Sequence, residues 1–233
     1  KWQWKLQAEY ATRYPLQNNA DWTLIENNNR NYTSNFPFNA ETETEFPQHN
    51  AFTTSLEISW QPGLKFTKYN NVLQPQYSSA ATYTFGYRSA FDGWLDSDVS
   101  FNHLYLKLED NFEIGIRGTF TYTTEVGGFL NKDNVYFMDY KHFMGNQTPF
   151  LSSNLTDRFR LLEYYRFSTR EEYLQWHSTF QWRKFLLTQF TLIRMTGIRE
   201  NLVFNYLTTN GIDNYSHLHY IFNRGIRTTL IGL

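Results

Sequence analysis

Trp2-Gln3-Trp4-Lys5-Leu6-Gln7-Ala8-Glu9-Tyr10 alternates without a fault. Successive side chains of an extended chain point to opposite faces, so Trp2, Trp4, Leu6, Ala8 and Tyr10 share one face. Gln3, Lys5, Gln7 and Glu9 share the other. The pattern predicts a β-strand and suits two settings. In a soluble sheet the apolar face is core and the polar face meets solvent. In a transmembrane barrel the apolar face meets lipid, with Trp and Tyr near the interfaces, and the polar face lines a watery lumen. The alternation by itself does not choose.

Working outward, the same design recurs. Phe52, Thr54, Leu56, Ile58 and Trp60 make the next face, stopped by Gln61-Pro62-Gly63. Ala81, Tyr83, Phe85 and Tyr87 form another; Gly93 and Asp96 mark a short connection. Leu104, Leu106 and Leu108 lead to Asp110-Asn111, which reads as a tight turn. Ile114, Ile116, Gly118, Phe120 and Tyr122 then return as the second arm of a hairpin. Leu174, Trp176, Ser178, Phe180 and Trp182 repeat the pattern. Arg183 to Gly197 reads as a turn with a short amphipathic helix. Asn201 to Leu207 and His217 to Phe222 are further strands around an Asn210-Gly211 turn, and Arg227 to Leu233 begins one more. About eight to ten strands, without internal repeat or domain boundary, make one all-β domain.

The chain has 233 residues, with 17 Tyr, 21 Phe and 7 Trp. Mean hydropathy is only -0.58. A soluble core using that many rings normally brings more Val, Ile and Leu with them. Rings on otherwise polar strands suit a wall between lipid and water. Net charge is -1, against the basic excess that phosphate binding needs, so no nucleic-acid partner is expected. Cysteine is absent, which excludes disulfides and thiolate metal sites. No run approaches the roughly 18 apolar residues of a membrane helix, yet strands of about 9 to 11 residues cross a bilayer as a barrel. The chain begins at Lys1 without Met or secretory signal, and we read it as part of a longer protein.

Two stretches break the pattern. Tyr14 to Asn50 is polar, with Asn, Thr, Glu and three prolines, of the kind that outer-membrane barrels place outside the cell. Its Glu41, Glu43 and Glu45 read as solvated carboxylates, not a cation site. Val126 to Tyr173 opens on Gly127-Gly128 and then mixes aromatics, amides and both charges without a sustained period. Loops beyond roughly 15 residues usually have a job. One reading is a surface loop carrying a small helix; the other is a loop folded back into a cavity made by the surrounding strands.

Catalytic patterns are missing. His217 and His219 share a strand face, but no third ligand is fixed beside them by sequence. There is no Gly-x-Ser-x-Gly elbow and no phosphate-binding glycine loop. The expectation is a protein that is not an enzyme, with no metal and no cofactor. In the central segment Asp139, Lys141, His142, Arg158, Arg160, Glu163 and Arg166 offer charges that would fix the loop if it enters a lumen.

Asp-Tyr-Lys-His-Phe-Met-Gly-Asn-Gln-Thr (139 to 148) and Leu-Leu-Glu-Tyr-Tyr-Arg-Phe-Ser-Thr (161 to 169) resemble signature stretches of a Bacteroidota outer-membrane family. Trp-Gln-Pro-Gly-Leu-Lys (60 to 65) and Asp96-Ser97-Asp98-Val99 are also similar, and the likeness runs from about Phe52 to Leu207. Members of that family carry an N-terminal carboxypeptidase-regulatory-like domain before a barrel of uncharacterised function. The barrel in turn looks distantly like the BamA-type surface-antigen superfamily. The resemblance implies an antiparallel transmembrane β-barrel, with this chain as the C-terminal part of a 16-stranded barrel, about strands 7 to 14 or 15. The early strands and N-terminal domain would then lie outside it. It implies a lumen-entering plug loop over 127 to 171, anchored through Asp139, Lys141, His142, Glu163, Tyr164 and Arg166. In that superfamily an Arg-Gly-aromatic tip pairs with an acid on the wall. Here Leu162-Glu163-Tyr164-Tyr165 stands where the tip would be, without Arg-Gly-Tyr, and Lys141 is the alternative tip cation. The implied location is the outer membrane of a Gram-negative bacterium, in contact with outer-membrane lipid and with other outer-membrane or periplasmic proteins. The implied role is assembly or translocation of envelope proteins. The alternatives are an accessory barrel in a larger outer-membrane complex, and a nutrient or ion pore.

Overall fold

The computed structural model describes residues 1–15, 47–63, 66–75, 80–145, 158–159, 162, 165–182, 184–210, 212–224 and 227–232. Its strands are β1 (Trp2–Arg13), β2 (His49–Trp60), β3 (Phe66–Tyr69), β4 (Val72–Pro75), β5 (Thr82–Ala90), β6 (Ser100–Ile114), β7 (Gly118–Asn134), β8 (Tyr173–Trp182), β9 (Arg199–Thr209), β10 (Ile212–Arg224) and β11 (Arg227–Gly232). Nine of them pair in the order β1-β2-β5-β6-β7-β8-β9-β10-β11, while β3 and β4 form a separate hairpin. Every pairing is antiparallel. The chain is all-β. Among the described residues the large sheet is open, with β1 and β11 at its edges.

Register turns the alternation of single strands into two continuous faces. Trp4, Ile58, Phe85, Leu106, Val126 and Leu174 stand side by side across six strands. Trp2, Trp60, Tyr83 and Leu108 form the adjacent row, with Trp2 stacked on Trp60 at 5.6 Å. Apart from the half-buried Ile58 and Leu108 these side chains are exposed, Trp4 at 77% and Leu106 at 55%. The opposite face buries many polar groups, Thr53, His103, Thr123, Glu125, His177, Thr179, Asn201 and Asn205, alongside Ala51, Ala90, Phe101, Tyr173, Val203 and Leu207. A water-soluble sheet does not leave such continuous rows of large apolar side chains exposed.

The structure moves two boundaries. The hairpin of β6 and β7 turns at residues 115–117, not at Asp110-Asn111. Asp110 and Asn111 stay in register with Tyr122 and Thr121, and Phe112 meets the Phe120 ring at 5.4 Å. Gly115, at φ 53°, supplies the left-handed residue that a short hairpin needs. The second boundary is the start of the central segment. Gly127-Gly128 does not end the strand, since β7 continues to Asn134. The β3–β4 hairpin was not foreseen; its signal is Asn70-Asn71, at φ 48° and 63°, in the left-handed turn that Asn tolerates.

Gly127 has a different use. Along one row of the polar face Glu57, Gly86, Tyr105, Gly127 and Tyr173 are neighbours. A Cβ on Gly86 would lie 2.1 Å from the Tyr105 ring, and one on Gly127 would lie 2.6 Å from the Tyr173 hydroxyl. Each tyrosine therefore reclines over the glycine of the preceding strand. Tyr105 crosses β5 this way and donates to Glu57 Oε1 at 2.6 Å. Gly86→Ala will push the phenol aside and break that bond. Bonds to charged groups contribute about 1.5–3 kcal/mol, so urea unfolding is expected to show a loss of that order. In a Tyr105→Ala background the same substitution is expected to cost little further.

Candidate functional site

The connection from β7 to β8 turns back onto the polar face. Val135 packs with Ala51, Ala90, Val99 and Phe101 at one end of the sheet. A 3-10 turn over Phe137–Asp139 follows, and Asp139 is its buried residue. Its carboxylate accepts a two-pronged bond from Arg13, Nη1 to Oδ2 at 2.6 Å and Nη2 to Oδ1 at 3.0 Å. Arg88 Nη2 adds a third bond to Oδ1 at 2.8 Å. Guanidinium groups suit this because their planar fork matches a carboxylate. The turn is thereby tied to β1 and β5 at once.

Lys141 comes next and exchanges backbone bonds with Thr169, N to O at 2.9 Å and 3.1 Å. Its ammonium reaches Glu125 of β7, whose side chain is 7% exposed against 22% for the lysine. Glu125 also accepts from the Tyr173 hydroxyl at 2.6 Å and Gln175 Nε2 at 3.0 Å. The Tyr173 oxygen lies 3.2 Å from His103 Nε2. The Lys141 ammonium faces the Tyr173 ring at 5.1 Å. A carboxylate so shielded from water stays charged only with such company.

An apolar wedge completes the docking. Phe143, Phe159, Leu162 and Phe167 pack with Tyr173 of β8 and Leu207 of β9, and Tyr215 of β10 leans on them. The Phe159 ring sits 4.3 Å from that of His177. His142 donates to or accepts from Ser168 Oγ at 2.8 Å, meets Tyr165 edge to face and lies against the tilted Phe137 ring at 5.0 Å. Between segment and sheet lies a cavity of about 390 Å³, lined by Lys5, Glu57, Tyr105, Lys107, Glu125 and Lys141 among others.

Of the residues expected to anchor the segment, the structure brings Asp139, Lys141 and His142 against the sheet. Arg166 is exposed, with its guanidinium 5.9 Å from the Phe167 ring. Glu163 and Tyr164 lie outside the described residues, as do Glu41, Glu43 and Glu45. Sequence reading missed Glu125, Arg13 and Arg88, which hold the other ends of these bonds. The available signal was a charged residue on the polar face of an otherwise neutral strand stretch, as Glu125 is between Thr119 and Gly127. No group of three or more His, Cys, Asp or Glu placed to hold a metal occurs among the described residues.

Over residues 1–221 the chain matches the family described as "Family of unknown function (DUF5686) C-terminal domain". The chain belongs to this family. No curated protein and no solved structure matches it. For this DUF5686 domain the segment that folds onto the sheet includes Asp139 to Gly145, most of one stretch that carries the sequence resemblance.

Two outcomes follow for the docked segment. Lys141→Met or Glu125→Gln alone leaves one buried group without its partner, a loss of about 3–5 kcal/mol for such pairs. The double variant is expected to lose less than the sum of the two, a coupling that urea unfolding of all four proteins measures. Burial holds the His142 imidazole below its ordinary 6.5, with Arg88 and Lys141 acting the same way and the Phe137 carbonyl and Asp139 opposing. An undocked His142 takes up a proton that the docked one refuses. Docking is therefore at full strength above 6.5 and weakens as pH falls below it. Proteolysis of the segment across this window checks the sign, and His142→Gln is expected to flatten the response.

Proposed function

We propose that this domain is the C-terminal part of an outer-membrane β-barrel whose 135–172 segment plugs the lumen, in a protein that assists assembly or translocation of other envelope proteins. The observation that carries the membrane reading is the inverted sheet. Most residues of its Trp, Leu and Phe rows are bare, while the opposite face buries Glu125, His103, His177, Asn201 and Asn205 alongside a few apolar side chains such as Val203 and Leu207. In lipid the first face is the favourable one, and the second belongs to a lumen. The described part of the long connection lies on this polar face and is held there by Lys141 on Glu125 and by Asp139 on Arg13 and Arg88. A segment cation on a wall carboxylate is what the likeness to BamA-type barrels implies, and it favours Lys141 as the tip cation. Assembly or translocation rests on that likeness.

A second reading is an accessory barrel that passes no substrate. It draws on how fully Glu125 is satisfied, with three donors and little exposure. Quantitative outer-membrane proteomics after depletion of the full-length protein in its host separates the two. An assembly or export role predicts a broad fall in other barrels or surface lipoproteins. If only one or two co-purifying proteins fall, the accessory role replaces it.

A further inference from the structure

At the end of the sheet opposite the plug, β8 and β9 are joined by a connection that displays its apolar residues. A 3-10 turn over Leu187–Gln189 is followed by a short helix, α1 (Thr191–Met195). Leu186, Phe190, Leu192 and Met195 are exposed, Leu192 at 83% and Met195 at 80%. This display is built, not slack. The buried Glu200 carboxylate accepts the backbone N–H of Phe185 at 3.1 Å, Leu187 at 2.8 Å and Thr188 at 3.2 Å, and also takes the Thr188 hydroxyl. The first turn of the connection, Phe185 to Thr188, is thereby fixed over a buried carboxylate.

Two further observations say what covers them. The apolar strand face runs into the connection without a break, because Trp182 of β8 stacks on Phe185 at 4.7 Å and 13°. Residues 183–199 also contain four basic residues, Arg183, Lys184, Arg194 and Arg199, and no acidic one. Large apolar side chains flanked only by cations are the composition of segments that lie in a headgroup region carrying anionic phosphates.

We propose that the β8–β9 connection is an interfacial lipid anchor, with its apolar side chains in the upper acyl region of one leaflet and the exposed Lys184 and Arg199 among anionic headgroups. This rests on the membrane reading of the sheet but not on any role in assembly. It would hold that rim of the wall at a fixed depth.

The 233 residues contain no cysteine, so single labels are clean. Leu192→Cys on the connection and Leu106→Cys on the apolar face, each carrying an environment-sensitive fluorophore, are compared in vesicles of phosphatidylethanolamine and phosphatidylglycerol. The expected result is strong quenching at residue 192 by a shallow spin-labelled lipid and at residue 106 by a deep one. Aqueous iodide quenching is expected to fall several-fold at both. Replacing phosphatidylglycerol by phosphatidylcholine is expected to weaken lipid quenching at 192 and leave 106 unchanged; equal quenching in both lipids removes the anionic headgroup from the proposal. Iodide access at 192 with lipid quenching intact at 106 overturns the anchor and leaves the membrane reading standing. Protection at 192 from both quenchers means that a protein surface covers the connection, which also overturns it. Absence of lipid quenching at 106 overturns the membrane reading itself.

Discussion

Two carboxylates removed from water determine how the segment after β7 sits on the sheet. Glu125 belongs to the sheet and takes its cation from the segment; Asp139 belongs to the segment and takes its cations from the sheet. A buried carboxylate without partners would shed its charge or expel its surroundings. Each therefore demands that segment and sheet arrive together, and the two demands run in opposite directions. A shift of the segment along the strands would strand both. This is a condition on position more than a source of stability, because desolvation consumes much of what each pair returns. The apolar wedge of Phe143, Phe159, Leu162 and Phe167 supplies adhesion without fixing register.

The glycines on the polar face serve the same end. Tyr173 reaches Glu125 because it lies over Gly127, and Tyr105 reaches Glu57 because it lies over Gly86. A side chain at either glycine would stand the phenol up into the space where Lys141 now lies, since its ammonium is 5.9 Å from the Tyr105 ring and 5.1 Å from the Tyr173 ring. Docking of the segment thus depends on a sheet surface kept low at chosen points. Glycine usually weakens a strand; here it makes room for a tyrosine to span two strands.

This explains which parts were legible in the sequence. Strands such as Trp2–Arg13 and Tyr173–Trp182 announce themselves, because period two is a local property. The Gly127-Gly128 pair misleads, because a glycine that ends a strand and one that accommodates a neighbour's ring look alike until the neighbour is known. Asp110-Asn111 misleads similarly: turn-forming residues lose to the pairing of Phe112 with Phe120 and to Gly115 beyond them. Asp139, Lys141 and His142 could be singled out as charges in an aromatic segment. Their partners could not. Arg13 is 126 residues from Asp139 and Arg88 is 51 residues away, and nothing in either strand marks these arginines from other polar-face residues.

The membrane reading carries a requirement of its own. Among the described residues β1 pairs with β2 alone, so its other edge presents a row of backbone N–H and C=O groups. In water such an edge is a liability that charge or twist can blunt. In hydrocarbon no such remedy exists, since each unsatisfied backbone group there costs several kcal/mol and only closed walls are tolerated. The apolar face of β1 is nevertheless among the barest of the sheet, with Trp2, Trp4, Leu6 and Tyr10 all exposed. A strand that offers lipid this face must find a second hydrogen-bonding neighbour. In a bilayer, those same residues therefore require that the free edge of β1 be paired in the working wall.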